Sequence, residues 1–462
     1  MFEKEIYATR REKLMNLVGK GIILLTGNTE SPMNYTDNTY PFRQDSSFLY
    51  FFGLDQPGLA GLLDTESGEE VLFGNDFSMD DIIWMGKQTS MQETATRAAV
   101  RNQLPFRKLA AMLGDAIRQG RRIHILPPYR AENKLLLGEL MGISAGMLAE
   151  YASVDLIRAV VKLRSEKQVC EIEEMKKAWA TGYQMHLAAM QMALPGISEQ
   201  TVAGTIDSIP LKAGGMTAYP TILSQHGEIL HNHSHGEMLQ RGRLLLVDAG
   251  AESAMHYASD FTRTTPVGGR FSHKQQEIYS LVLAANNKAK ELIKAGITYR
   301  FVHMAVAEVI VTGLKELGLM KGDPQEAVNQ GAHALFMPHG LGHMIGLDVH
   351  DMEDLGQIHV GFDEEIRPSA QFGTASLRLG RKLRQGFTVT NEPGIYFIPA
   401  LIDKWKQDKI HTGFIRYDKL ECYRDFGGIR LEDDLLVTET GCELLGRRIP
   451  ITPEEVEQAV GA

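Results

Sequence analysis

Two aspartates pose the first chemical question. Asp248 ends the apolar run 244–247, and Asp260 lies inside a Thr- and aromatic-rich run, 256–266. The first run reads as a buried strand and the second as the next strand. Together they predict a hairpin with one carboxylate on each arm. Two carboxylates aimed into one apolar pocket repel each other, and their pKa values rise unless cations sit between them. A turn cap or an ion pair with a nearby arginine is the ordinary explanation for either aspartate alone. The rest of the chain weighs against that explanation, because it sends further ligand-type residues into similar settings.

Met337-Pro338-His339-Gly340-Leu341-Gly342-His343 is followed closely by Asp348-Val349-His350-Asp351. The glycines leave room for close approach of a substrate, and histidine is the commonest metal ligand and proton carrier. Structural or surface histidines are the competing explanation. The His339–His343 spacing is that of zinc proteases, but the glutamate of HExxH is missing, so that signature does not apply. Further on, the β-prone run 387–390 ends at Asn391-Glu392-Pro393-Gly394. A glutamate before proline is held extended, and one at the end of an apolar strand needs a cation or a donor. Last, Arg430 and Glu432 stand two apart, so in a strand both face one side; a cross-strand salt bridge would also account for them.

Taken jointly, Asp248, Asp260, His343, Glu392 and Glu432 put four carboxylates and one imidazole on short strand-like segments. Two divalent cations would balance the carboxylate charge. An oxygen-rich set suits a harder ion such as Mn²⁺ better than a structural zinc site does.

The elements that must position these residues fall into two parts. Residues 1–160 alternate strands and helices: helix 4–18, strand 21–27, strands 60–63, 71–73 and 82–84, helix 109–117, strand 123–126 and helix 133–140. That alternation predicts an α/β domain. Residues 154–163 read as a connection with at most a short helix, and a long helix is expected from Ser165 to about Leu194. Within 161–462, helices are expected at 198–212, 272–294 and 300–317, the 272–294 helix opened by the capping-box pair Ser272 and Gln275. Mixed with hairpins, they predict an α+β catalytic domain. No repeat, low-complexity segment, GxGxxG or P-loop is found.

At 462 residues, more than one core is expected. A net charge of −10 with no Lys/Arg run argues against nucleic acid or anionic membrane as a partner. Three cysteines do not suggest a disulfide framework. The first residues carry both charges and no apolar stretch, so no signal peptide is expected; the longest apolar runs fall far short of a membrane span, and a reducing, cytoplasmic setting is expected.

The ordered motifs resemble the pita-bread metallopeptidases, in particular the Xaa-Pro dipeptidase (prolidase) and Xaa-Pro aminopeptidase branch. They are Asp248-Ala249-Gly250, Ser259-Asp260-Phe261-Thr262-Arg263-Thr264, His339 to His343, Asp348 to Asp351, Glu392-Pro393-Gly394-Ile395-Tyr396 and Arg430-Leu431-Glu432. The stretch from Phe42 to Ser46 and residues 53–61 resemble that branch's N-terminal domain. The resemblance implies a pita-bread domain after a smaller α/β domain, two divalent ions (Mn²⁺ favoured, Co²⁺ or Zn²⁺ compatible) and a homodimer. It implies that Asp248 binds one ion, that Asp260 and Glu432 bridge both, and that His343 and Glu392 complete the second site. Glu392 would also be the general base. His231 and His350 match substrate-contacting histidines, His339 belongs to the same substrate site, and Arg430 matches a partner of the bridging carboxylates. Arg378 matches the prolidase arginine that grips the substrate carboxylate, which favours Xaa-Pro dipeptides over longer peptides. The alternatives are an Xaa-Pro aminopeptidase, a ligand-free binding module and a creatinase-like amidinohydrolase. Two departures stand out: the hairpin is one residue longer than is usual, and the glycine-rich turn before His231 is replaced by Ser224-Gln225-His226-Gly227-Glu228. His231, His233 and His235 form H-x-H-x-H, read as solvated strand histidines ahead of an accessory metal site.

Overall fold

The computed structural model describes residues 1–461. The chain forms two compact units, one of Met1–Arg164 with Glu353–His359, the other of Ser165–Met352 with the chain from Val360 onward.

In the first unit, β1 (Ile22–Thr26), β2 (Ala60–Asp64), β3 (Glu70–Gly74), β4 (Asn102–Pro105) and β5 (Ile123–His124) form one sheet in the order β4-β3-β2-β1-β5. Its centre is antiparallel and both its edge pairs are parallel. Leu24, Leu62, Val71 and Phe73 of the sheet pack with Leu109, Leu113 and Leu137. Residues 82–84 are not a strand; they lie in α1 (Met79–Met85). Ser78 and Asp81 cap each other's backbone there, and that local start signal outweighs a three-residue apolar run. Leu109 and Leu113 come from α2 (Lys108–Arg118), Leu137 from α3 (Ala131–Met141). The stretch expected as a connection is α4 (Val154–Ser165). Leu156, Ile157, Val160 and Val161 are buried, a helical repeat that the surrounding charges disguise. Ser165 therefore ends a helix. The next, α5 (Val169–Gln191), opens on a Gln168–Glu171 capping box.

In the second unit, α5 and α6 (Glu199–Lys212) pack on β6 (Ile222–Ser224) and β7 (Leu244–Asp248) through Met185, Ala189, Val202, Ile206, Leu223, Leu245 and Val247. Antiparallel to β7 runs β8 (Thr262–Pro266), with Thr262 opposite Asp248. The hairpin is present, but residues 256–261 are not strand. His256 takes a positive φ of 68°, and across this part of the hairpin the regular ladder gives way to an isolated Glu252–Ala258 bridge and single bonds such as that from Ser259 N–H to the Ala251 carbonyl. Behind the strands lie α7 (His273–Leu292) and α8 (Tyr299–Glu316). Two further antiparallel groups complete the unit. β9 (Thr388–Asn391) and β13 (Cys442–Leu444) flank β12 (Asp433–Val437), while β10 (Gly394–Tyr396) pairs with β11 (Gly428–Arg430). The groups are tied together: Glu432 N–H donates to the Thr262 carbonyl at 3.0 Å. Asn286 of α7 donates from Nδ2 to the carbonyls of Leu431 (3.0 Å) and Asn391 (3.3 Å). Among the described residues, no helix is long and apolar enough to cross a membrane.

Candidate active site

The four carboxylates sit at or just beyond strand ends. Asp248 is the last residue of β7, Asp260 lies two residues before β8, Glu392 follows β9, and Glu432 lies between β11 and β12. His343 is docked on β9: its N–H donates to Thr390 Oγ1 at 3.1 Å, and its carbonyl accepts from Thr390 N–H at 3.0 Å. A Cβ on Gly342 would run into the Thr390 carbonyl, so glycine is needed for that approach. A Cβ on Gly250 would likewise collide with the Ser259 carbonyl, next to Asp260.

All ten residues singled out from sequence (His231, Asp248, Asp260, His339, His343, His350, Arg378, Glu392, Arg430 and Glu432) line one cleft of about 510 Å³. Donor atoms of Asp260, His343 and Glu432 lie within 4.8 Å of one another. His343 Nδ1 bonds the Met344 carbonyl at 3.0 Å, which leaves Nε2 facing Asp260 Oδ2 (3.4 Å) and Glu392 Oε1 (3.6 Å). The His350 ring lies 4.2 Å from that of His343, centroid to centroid.

Arg430 organises the floor. Its Nη2 meets Asp248 Oδ2 at 2.5 Å, its Nε donates to Thr262 Oγ1 at 3.0 Å, and its Nη1 donates to the Tyr396 hydroxyl at 2.8 Å. Thr262 in turn donates to Glu432 Oε2 at 2.7 Å, and the Tyr396 hydroxyl meets His339 Nε2 at 2.9 Å. Arg430 pairs with Asp248 rather than across to Glu432, and that pair leaves most of the cluster's negative charge unmatched. Burial and the facing carboxylates, Asp260 first among them, push Glu392 up to about 7 and Glu432 well above the ordinary range. Asp260 is held below its ordinary value: burial would raise it, but the His343 hydrogen bond and charge prevail. Burial drives His339 down to about 3, so it stays neutral.

The reading of single residues overlooked Tyr219. Its hydroxyl is shared between Asp248 Oδ1 (2.6 Å) and Asp260 Oδ1 (2.5 Å), and burial followed by those two charges keeps it protonated. A lone tyrosine carries no spacing signal. The H-x-H-x-H segment is not a strand. His233 Nδ1 lies 3.4 Å from the Thr221 carbonyl and His235 Nδ1 lies 3.0 Å from that of Leu223, so these rings cover the exposed edge of β6. Among the described residues, the metal-type grouping found is that of Asp260, His343 and Glu432.

Comparison with known proteins accords with this geometry. The profile of metallopeptidase family M24 matches residues 173–439, and that of the aminopeptidase P N-terminal domain matches residues 7–125. The chain belongs to metallopeptidase family M24, and its two-domain α+β architecture is the pita-bread fold of aminopeptidase P. Human Xaa-Pro dipeptidase is 28% identical over 98% of this chain and 92% of its own length. The Xaa-Pro aminopeptidase of Escherichia coli K12 is 29% identical over 98% and 97%. A solved structure of E. coli aminopeptidase P with the inhibitor Pro-Leu superposes with a TM-score of 0.79 at 28% identity, covering 99% of this chain and 98% of that one. The family implies divalent metal ions, and the donor set fits them: carboxylates that push one another's pKa up are what a divalent cation relieves.

Proposed function

We propose that this chain hydrolyses Xaa-Pro dipeptides, with Asp248, Asp260, His343, Glu392 and Glu432 holding two divalent cations, Mn²⁺ the favoured ion. The observation that carries the dipeptide reading is Arg378 on the wall of the same cleft as the five ligand residues. When bound, the cations supply Lewis acidity that lowers the pKa of water and polarises the scissile carbonyl. Glu392 takes a proton from the attacking water and returns it to the leaving proline nitrogen. His350, beside His343, donates to the developing oxyanion, a contribution of ~3 kcal/mol for donors of this kind. His231 and His339 flank the substrate. Arg430 keeps Asp248 aimed inward, and Tyr219 fixes the relative placement of Asp248 and Asp260. Arg378 binds the free carboxylate through a charge-assisted contact and so limits substrate length.

A second reading is removal of the first residue from longer peptides with proline second. It is favoured by the likeness to aminopeptidase P over nearly the whole chain. Hydrolysis of Ala-Pro and Ala-Pro-Ala by the wild type and by Arg378→Ala separates the two. For a dipeptidase, the substitution lowers kcat/KM for Ala-Pro roughly 30-fold, equivalent to ~2 kcal/mol, and leaves the tripeptide rate nearly unchanged. Equal loss on both substrates, or faster wild-type cleavage of the tripeptide, overturns the dipeptide assignment.

A further inference from the structure

Lys167 and Asp351 form a buried ion pair: Nζ lies 2.9 Å from Oδ2, and each side chain is 1% exposed. Pairs of this kind are poor stabilisers, because desolvation consumes most of the attraction, and apolar residues of similar volume often do as well or better. Its position gives it another role. Asp351 directly follows His350 and closes a tight loop. Asp351 N–H donates to the Met344 carbonyl at 2.9 Å, Gly346 N–H to the Asp348 carbonyl at 3.0 Å, and Ile345 N–H to Thr388 of β9 at 3.1 Å. Lys167 is itself anchored, its N–H donating to the Gly386 carbonyl at 2.8 Å. The pair is wedged against Gly346, where an added Cβ would stand 2.5 Å from Asp351 Oδ2 and 2.8 Å from Lys167 Cε. Met352, next in the chain, is held at φ +64°, a conformation that persists in a bulky residue when its surroundings dictate it.

We infer that Lys167 and Asp351 are positioning residues that fix the 344–351 loop so that His350 faces the cleft beside His343. The inference rests on the proposed role of His350. The test is a cycle assayed on Ala-Pro with Mn²⁺ restored: wild type, Lys167→Met/Asp351→Leu, His350→Ala, and all three changes together. Lys167→Met/Asp351→Leu is expected to keep its melting temperature and its KM within twofold while kcat falls at least tenfold. In the His350→Ala background, the same pair of changes is expected to cost less than twofold. Gly346→Ala, which displaces the pair without removing its charges, should lower kcat in the same manner and supplies the answer if the apolar pair does not fold. Wild-type kcat in these variants, or a full tenfold loss on top of His350→Ala, overturns the inference. If His350→Ala alone leaves kcat unchanged, the reading of His350 fails and the inference falls with it; a slow His350→Ala beside a fast pair variant refutes only the positioning.

Discussion

Glu432 and Asp433 are neighbours in the chain and both almost wholly buried, 2% and 1% exposed, yet they belong to opposite electrostatic worlds. Asp433 accepts from Arg263 Nη2 at 2.6 Å on one oxygen and from Arg448 Nε at 2.9 Å on the other. Burial would raise its pKa, but the two guanidiniums hold it below the ordinary value. Glu432 turns to the other face, where burial and the charges of Asp260, Glu392 and Asp248 drive it upward. The protein sets two guanidiniums directly on one carboxylate, whereas Arg430 reaches the other only through Thr262. A buried acid already paired is architecture; a buried acid set among other acids calls for a cation from outside.

The contrast can be broken from either side. The largest expected effect is on the cleft side. Glu392→Gln should cut Ala-Pro hydrolysis by about 1,000-fold, the scale of a lost general base, with the melting temperature little changed; activity within tenfold of the wild type would remove Glu392 from the chemistry. On the other side, Arg263→Met should destabilise the fold by ~3–5 kcal/mol in urea titration, because it leaves Asp433 underpaired in the interior. The remaining folded fraction should keep its kcat.

A chelated sample sharpens the contrast through pH. Burial and the facing carboxylates raise the folded pKa of Glu392 from its ordinary value to about 7. The folded state therefore holds a proton that the unfolded state has released, and stability should fall as pH rises through that window. Added Mn²⁺ should abolish the decline; a flat melting temperature from pH 5 to 7.5 without metal would contradict the unmatched-charge account. The smallest effect concerns His303 and His333, both fully buried; the ring nitrogens of His303 make no hydrogen bond. Burial depresses them to about 3 and about 4. The unfolded chain binds those protons first as pH falls below about 6.5, so they weaken the acid limb. His303→Phe should move the acid-unfolding midpoint down by ~0.5 pH unit.

The ligand-type residues were legible because acids at the ends of apolar runs are conspicuous, and strand ends are where this fold delivers them. Thr262 was visible only as part of a motif. That it joins Arg430 to Glu432 required the pairing of β8 with the 430–432 segment, a contact between residues about 170 positions apart that no local pattern encodes. Tyr219 was silent for the same reason. In the first unit, misreadings arose where short-range signals competed: a capped helix at Met79–Met85 looked like a strand, and α4 looked like a connection because charges interrupt its apolar face.

Asn286 carries a consequence of its own. The two carbonyls that its amide grips belong to Asn391 and Leu431, the residues immediately before Glu392 and Glu432. One side chain thus acts as a calliper: the gap between two glutamates just beyond separate strands is gauged from behind, by a helix that never enters the cleft.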